Sequence, residues 1–266
     1  MFGVVPKSIW HKLNPADDNN MCSWAMRCLL VQDGKRLILI DNGIGDKQDA
    51  KFFSYYYLHG DNSLDKSLAK HGFSKDDITD VFLTHLHFDH CGGSITWNKD
   101  KTGYVPAFKN ATYWSTPKHW EWATHPNPRE KASFLKENIL PIKESGQLKM
   151  VEDDGSAQLP FSVWYTYGHT EAMMHPLIKH KGRNLLYCAD FLPARWHIPL
   201  PYVMAYDVRP LESMKEKERM LNELHATDTL LFFEHDPVTE CATLQKTEKG
   251  SIAQKELFSL EEFFGK

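Results

Sequence analysis

The sequence lacks several features that would assign it to a specialised class. No apolar run among its 266 residues approaches the roughly 18 residues of a membrane-spanning helix. No basic block is present, and 31 Lys and Arg against 35 Asp and Glu leave a net charge of −4, which does not favour nucleic acid as a partner. The first residues show neither the apolar segment nor the small-residue cleavage site of an export signal. Cysteines number only five, without a CxxC pair, as is typical of reduced thiols. These absences predict a cytoplasmic protein without membrane or nucleic-acid partners.

Internal repeats, linkers and low-complexity tracts are also absent, and the widest polar stretches are only as long as turns. With 42% hydrophobic residues, among them 8 Trp, 15 Phe and 10 Tyr, the chain has ample apolar surface to bury. We therefore expect one folded domain over residues 1–266.

Apolar runs separated by turn residues predict strands that alternate with helices. Residues 26–32 and 36–41 are joined through Asp33 and Gly34, which indicates a β-hairpin. Further strands are predicted at 80–84, 161–166, 184–189 and 229–234. Helices are predicted at 61–72, at 116–138 with a break near its two prolines, and at 211–226. The pattern indicates sheets covered by helices, although it leaves the topology open.

The sequence HLHFDH directly follows the predicted strand 80–84 and spans residues 85–90. If the segment is extended, alternate residues share a face, so His85, His87 and Asp89 should project together. His90 adds a fourth donor where Gly92 and Gly93 let the chain turn. Imidazoles and a carboxylate in one cluster suit zinc and related divalent metals.

Three later polar residues also stand at the ends of apolar strands. His169 follows the strand 161–166, Asp190 follows 184–189, and His235 follows 229–234. Taken singly, each is typical of a solvated loop. Taken together, they supply ligands that the first cluster alone does not provide.

These motifs resemble those of the metallo-β-lactamase fold superfamily. The resemblance runs from the early strand that ends in Leu39-Ile40-Asp41 to His235, most of the chain. It implies an α+β fold, a four-layer αβ/βα sandwich in which two mixed β-sheets carry helices on their outer faces. It also implies two divalent metal ions per chain, with zinc as the first choice and manganese, iron or cobalt as alternatives. The ligands implied for the first ion are His85, His87 and His169, those for the second are Asp89, His90 and His235, and Asp190 bridges the two. Asp41 matches a buried Asp that supports the ligands from behind.

The branch most similar to this chain contains methyl parathion hydrolase and the quorum-quenching N-acyl-homoserine lactonases. The resemblance implies a hydrolase that attacks a lactone or related ester with a hydroxide shared by the two metals, with Asp89 and Asp190 as catalytic residues. Phosphotriester hydrolysis and thioester hydrolysis are the alternatives. One departure is Pro193, which stands where a studied class of these lactonases has a Tyr thought to assist the substrate carbonyl. Another group would then take that role, or the substrate would differ.

Aromatic residues supply candidates for an apolar substrate pocket, although packing in the core or in a dimer is the favoured explanation for any single one of them. The candidates are Phe53, Tyr56, Trp120, Trp196 and His197. Arg195 is a further candidate for contact with a polar substrate group, and Cys91 is interpreted as a small buried residue rather than a ligand. The expected partner is a small molecule, with a homodimer as an open alternative.

Two other functions remain open. A metal-binding regulatory protein without turnover would be favoured by a missing ligand, and none is missing. A nucleic-acid-processing member of the same fold would carry added domains and basic surfaces, and this sequence has neither.

Overall fold

The computed structural model of the protein describes residues 1–265, in which strands and helices alternate along the chain. The strands are β1 (Leu29–Asp33), β2 (Arg36–Ile40), β3 (Asp80–Phe82), β4 (Ile95–Trp97), β5 (Tyr104–Pro106), β6 (Thr112–Ser115), β7 (Leu148–Met150), β8 (Ser162–Thr166), β9 (Met173–His180), β10 (Arg183–Tyr187), β11 (Leu230–Phe232), β12 (Cys241–Lys246) and β13 (Ile252–Phe258). The helices are α1 (Lys7–Trp10), α2 (Ala50–Phe53), α3 (Leu64–Lys70), α4 (Phe88–Cys91), α5 (Pro117–Thr124), α6 (Lys136–Glu144), α7 (Pro210–Ala226) and α8 (Leu260–Phe264).

The chain forms two compact units. The first unit is Cys28–Val151, and the second unit combines Met1–Arg27 with the chain from Glu152 onward. Each unit contains a mixed β-sheet together with helices. The predicted α+β class with two mixed sheets is therefore confirmed.

The first unit is built on a five-stranded sheet in the order β1-β2-β3-β6-β7. β1 and β2 form the predicted hairpin, with Asp33 opposite Arg36, and Gly34 adopts the left-handed conformation (φ +57°) that the two-residue turn requires. The remaining neighbours are parallel. β3 is buried along its whole length in the centre of this sheet, which explains its short, continuously apolar sequence.

The second unit contains a six-stranded sheet in the order β13-β12-β11-β10-β9-β8. β10 and β11 are parallel, whereas the other neighbours are antiparallel. The predicted strands at 161–166, 184–189 and 229–234 correspond to β8, β10 and β11, and the predicted helix at 211–226 corresponds to α7. β8 and β10 are each antiparallel to β9, so β8, β10 and β11 all run in one direction. Their carboxyl ends therefore lie at the same edge of the sheet.

The local signals at helix ends explain why several helices begin where they do. The Ser63 side chain accepts the N–H of Lys66 at the start of α3, and Thr116 accepts that of His119 at the start of α5. The helical region predicted at 116–138 is helical only in α5 and in the first three residues of α6, because the chain leaves the helix at residue 125 and does not return to it before Lys136. Among residues 1–265, no helix is both long and apolar enough to cross a membrane.

Candidate metal centre

In the first unit, the HLHFDH segment is held by the buried carboxylate of Asp41. Asp41 follows β2 and adopts a left-handed backbone conformation (φ +54°). Its Oδ1 accepts the N–H of Thr84 at 2.8 Å and its Oδ2 accepts the hydroxyl of Thr84 at 2.7 Å. Oδ2 also lies 3.0 Å from Nδ1 of His90. Because Asp41 is fully buried, its three contacts tie the end of β2 to both ends of the histidine motif.

The histidine motif is extended only as far as His87. Phe88–Cys91 form the short helix α4, so Asp89 does not continue the face shared by alternate residues, and the predicted extended geometry is wrong from Phe88 onward. His85 and His87 do lie together, with Nε2 of His85 3.0 Å from Nδ1 of His87. On α4, the Oδ2 atom of Asp89 lies 3.9 Å from Nε2 of His90. The motif therefore offers an imidazole pair and, one helical turn later, a carboxylate–imidazole pair.

Glycines allow the chain to pass close to itself immediately after α4. A Cβ on Gly92 would collide with the backbone carbonyl of Ile44, so only glycine permits this approach. The side chain of Lys47 then donates to the carbonyl of Gly92 at 2.6 Å. The predicted turn at Gly92 is thus a close contact between the segments that follow β2 and α4.

In the second unit, Asp190 lies between two imidazoles at the common edge of β8, β10 and β11. Its Oδ2 is 3.0 Å from Nε2 of His169, and its Oδ1 is 3.1 Å from Nε2 of His235. All three side chains are buried. The Asp190 carboxylate thus presents one oxygen to each of the two imidazoles.

The loop that carries His169 is fixed by helix α7. The Glu216 carboxylate accepts the N–H groups of Tyr167 at 2.7 Å and Gly168 at 3.0 Å. A Cβ on Gly168 would collide with Ser213 on the same helix. The backbone of residues 208 and 209 then pairs with the carbonyls of His169 and Gly168, which brings Asp207 onto the ring of His169.

Each candidate imidazole ligand has an outer ring nitrogen that is held by a neighbouring oxygen. The pairs are His85 Nδ1 with Thr84 Oγ1 (3.1 Å), His87 Nε2 with Glu130 Oε1 (3.4 Å), His90 Nδ1 with Asp41 Oδ2 (3.0 Å), His169 Nδ1 with Asp207 Oδ1 (3.0 Å) and His235 Nδ1 with the carbonyl of Ala25 (2.7 Å). An outer oxygen that accepts the ring N–H leaves the lone pair on the inner nitrogen, which is what a metal ligand needs. Sequence reasoning missed Glu130 and Asp207 as partners of ligands, because neither stands in a local motif with its histidine.

Electrostatics in the second unit also favour a bound cation. Burial alone would lower the pKa of His169, but the carboxylates of Asp190 and Asp207 outweigh it and raise this pKa to about 10. The two carboxylates thus stabilise positive charge on the imidazole between them. The donor set of imidazoles and carboxylates, all of them buried except Asp89, therefore fits a divalent metal ion. The candidate metal-binding residues are His85, His87, Asp89, His90, His169, Asp190 and His235.

Among the predicted pocket residues of the first unit, Phe53 ends α2 and is partly buried, and Tyr56 is 39% exposed. The Tyr56 ring packs against Phe88 within the histidine motif, with centroids 4.9 Å apart. Trp120 instead lies in the hydrophobic core of this unit, so packing accounts for its burial. Cys91 is buried as expected, and desolvation raises the pKa of its thiol to about 12.

In the second unit, Trp196 is partly exposed, whereas His197 is buried and packs at the amino-terminal segment. The His197 ring stacks on Phe2 at 5.3 Å, and its Nε2 lies 3.0 Å from the carbonyl of Met1. Arg195, expected as a substrate contact, forms an ion pair with the buried Asp236 at 2.7 Å. Pro193 presents its carbonyl to the N–H of His235 at 2.9 Å and so helps to position that ligand.

Comparison with protein families gives a match across most of the chain. The model of the metallo-beta-lactamase superfamily matches residues 27–252. An N-acyl homoserine lactonase of Bacillus cereus is 23% identical over 243 residues, which cover 86% of this chain and 87% of the relative.

Solved structures show the same fold. A probable metal-dependent hydrolase from Staphylococcus aureus superposes with a TM-score of 0.84 at 26% identity, over 97% of this chain and 92% of that protein. AidC, a dizinc quorum-quenching lactonase, superposes with a TM-score of 0.69 at 24% identity, over 89% of this chain and 81% of AidC.

Proposed function

The chain belongs to the metallo-beta-lactamase superfamily and is a hydrolase of that fold, and from this we propose that it is a dinuclear lactonase. The observation that carries the proposal is the Asp190 carboxylate, which presents one oxygen to His169 and the other to His235. A shared carboxylate of this kind partly neutralises two cations held roughly 3.5–4 Å apart.

Seven side chains would hold the two metal ions. We assign His85, His87 and His169 to one ion, and Asp89, His90 and His235 to the other, with Asp190 shared. Neutral imidazoles with carboxylates suit zinc, and manganese, iron or cobalt are alternatives. The outer oxygen on each ring supports this assignment, because an oxygen that accepts the outer N–H keeps the lone pair on the inner nitrogen.

When bound, the two ions would activate water near neutral pH and polarise the substrate's carbonyl oxygen. The remaining steps belong to side chains. Asp190, held between the imidazoles of His169 and His235, would keep the two ions at a constant separation. Asp89 is the carboxylate suited to passing a proton to solvent, because its side chain is about one-third exposed, whereas that of Asp190 is only 8% exposed. Asp41 and Asp207 hold His90 and His169 in the required tautomers.

We propose a hydrophobic cyclic ester as the substrate, with N-acyl homoserine lactones as the leading class. The names of the relatives support the lactone. The rings of Phe52, Tyr56 and Phe88 support an apolar substituent, because their centroids lie within 5.4 Å of one another and Phe88 stands between His87 and Asp89 in the chain. Phe53 and Trp196 remain candidates for the pocket wall. Phosphotriesters and thioesters are the alternative substrates. They remain alternatives because Pro193 stands where a studied class of lactonases has a Tyr.

A substrate screen tests this proposal. The metal-loaded protein is assayed against homoserine lactones of increasing acyl length, phosphotriesters, thioesters and β-lactams. We expect lactones to be hydrolysed fastest, with rates that rise with chain length, and chelation to abolish the activity. Hydrolysis of thioesters but of no lactone would show that the protein is a thioesterase rather than a lactonase. Equal rates for short and long lactones would contradict the proposed aromatic pocket.

The family match from residue 27 to residue 252 crosses both units, which supports the proposal that residues 1–266 act as one hydrolase domain. A cytoplasmic location and a homodimer also remain proposals. Gel filtration with light scattering tests the oligomeric state.

A further inference from the structure

The carboxylate of Glu130 is aimed at the histidine pair of the first unit from a loop that no motif marks. Glu130 lies between α5 and α6 and is only 3% exposed. Its Oε1 lies 3.4 Å from Nε2 of His87. The other nitrogen of that ring, Nδ1, lies 3.0 Å from Nε2 of His85. The imidazole of His87 is therefore held between a buried carboxylate on one side and the candidate metal position on the other.

The second oxygen of this carboxylate is fixed by two donors. Oε2 of Glu130 accepts the indole N–H of Trp122 at 2.7 Å and the side-chain amide of Asn127 at 2.6 Å. The side-chain oxygen of Asn127 also accepts the N–H of Glu130 at 3.2 Å. These donors hold the carboxylate with its Oε1 toward His87.

We infer that Glu130 is a positioning residue, which sets the tautomer of His87 so that Nδ1 is the metal-binding atom. Its carboxylate accepts the Nε2–H of the ring, and the lone pair then remains on Nδ1. A carboxylate in this position also raises the basicity of the ligand. The inference rests on the proposed metal site, because it requires that His87 is a ligand.

The same geometry makes Glu130→Gln an informative variant. A glutamine of the same shape must place its amide oxygen where Trp122 and Asn127 donate, because an NH₂ group there would meet two donors. Its NH₂ group would then face His87 and donate to Nε2, which favours a proton on Nδ1. The variant therefore keeps the fold but presents the wrong tautomer to the metal.

Two measurements test the inference without reference to turnover. Zinc affinity is measured by competition with a chelating dye, and the protonated nitrogen of each imidazole is identified by long-range ¹H–¹⁵N NMR. We expect Glu130→Gln to weaken binding of one ion by about 10- to 100-fold, the usual cost of losing an outer partner of a ligand. The NMR spectrum of the metal-free variant should show the proton of His87 moved from Nε2 to Nδ1.

Matched variants separate positioning from a purely structural role. Asn127→Ala and Trp122→Phe each keep the carboxylate and one of its two donors, so we expect a smaller loss of zinc affinity than in Glu130→Gln. Adding both changes to Glu130→Gln lets the amide turn its oxygen toward His87, and affinity should partly recover. If Glu130→Gln does not fold, Glu130→Asp, which keeps the charge but withdraws the oxygen, should show the loss.

The outcomes are distinguishable. Unchanged zinc affinity and an unchanged tautomer in Glu130→Gln, or in Glu130→Asp if that variant has to replace it, would overturn the positioning role. Losses in Asn127→Ala and Trp122→Phe as large as that in Glu130→Gln would overturn it too. A wild-type protein that binds no metal would instead overturn the proposed function itself.

Discussion

Single carboxylates organise the candidate metal centre, and each does so with both of its oxygens. Asp41 joins Thr84 to His90, Asp190 joins His169 to His235, and Glu130 joins His87 to a pair of donors. A buried carboxylate is costly unless such partners surround it. These residues are therefore the positions at which a change of one atom should have the largest functional effect.

Replacement of Asp190 with Asn tests the bridging carboxylate. The amide keeps the side-chain size but removes one negative charge and one oxygen donor, so repulsion between two bound cations is less offset. We expect Asp190→Asn to remain folded, to bind about one metal ion, and to lose at least about 100-fold in kcat/KM, the upper end of what outer partners alone cost. Elemental analysis and lactone hydrolysis measure both effects.

Asp80→Asn is the matched control, because Asp80 is also a buried carboxylate but pairs with Arg36 at 2.7 Å, at the other end of β3 from the motif. It should lower stability while leaving metal content unchanged. A folded Asp190→Asn protein with two metals and near-normal turnover would show that Asp190 is not the bridge.

At the scale of elements, helix α7 acts as the support of the His169 loop. Its Glu216 binds the backbone of Tyr167 and Gly168, and its buried Lys217 donates to the carbonyls of Pro199 and Tyr202 at 2.8 and 3.0 Å. Desolvation lowers the pKa of Lys217 to about 7. The hydrogen bonds to these carbonyls offset part of the free-energy cost of burying its amino group. One helix thus fixes the segments on both sides of Asp190.

Gly168→Ala tests the close approach between this loop and α7. The added methyl group would overlap Ser213, and the loop must then move away from the helix together with His169. We expect a loss of about 1–3 kcal/mol in the free energy of unfolding, as for other overpacked sites, and weaker zinc binding. Urea denaturation and dye competition measure the two effects.

Gly103→Ala is the matched control, because its nearest neighbour would be Asn98 Nδ2 at 3.6 Å and its φ is not left-handed. It should be close to neutral in both measurements. If the two variants behave alike, the contact between Gly168 and α7 does not position the ligand loop.

For the whole molecule, buried neutral histidines connect stability to pH. His175 on β9 is fully buried, lies 2.8 Å from the hydroxyl of Thr166, and packs against Phe191. Desolvation lowers its pKa to about 4, and burial lowers the pKa of His197 to about 4 as well. Both imidazoles bind a proton more readily in the unfolded chain than in the folded one.

Stability should therefore fall as the pH falls from about 6.5 to about 4, the interval between the unfolded and folded pKa values of these groups, and the loss stays constant below that. For His175 alone the loss is about 3 kcal/mol at the lower end, from 1.36 kcal/mol for each pKa unit. His175→Gln, which does not titrate, should show a shallower fall in urea denaturation across this range. His71→Gln, at an exposed position, should match the wild type. Equal slopes for His175→Gln and the wild type would contradict the prediction.

Local sequence was sufficient for the features that depend on neighbours in the chain. The turn at Gly34 and the strands that precede His85, Asp190 and His235 all follow from patterns a few residues long. The short strands β4 to β7 were not predicted. Nor were β9, β12 and β13, in which Lys, His and Gln interrupt the apolar pattern. They form because neighbouring strands supply hydrogen-bond partners and apolar surface to pack against. The sequence of one segment alone does not reveal either of these.

The sequence by itself determined the family resemblance and the residue types that can bind metal, because the HLHFDH motif and the strand-end ligands are local patterns. Tertiary structure alone decided where Asp89 points, since α4 begins at Phe88, and that the carboxylates of Glu130 and Asp207 contact the outer nitrogens of His87 and His169. Glu130 lies 43 residues from His87 and Asp207 lies 38 residues from His169. Such pairs are made by loops that meet only after the sheets have formed, and no periodicity in the chain encodes their distance.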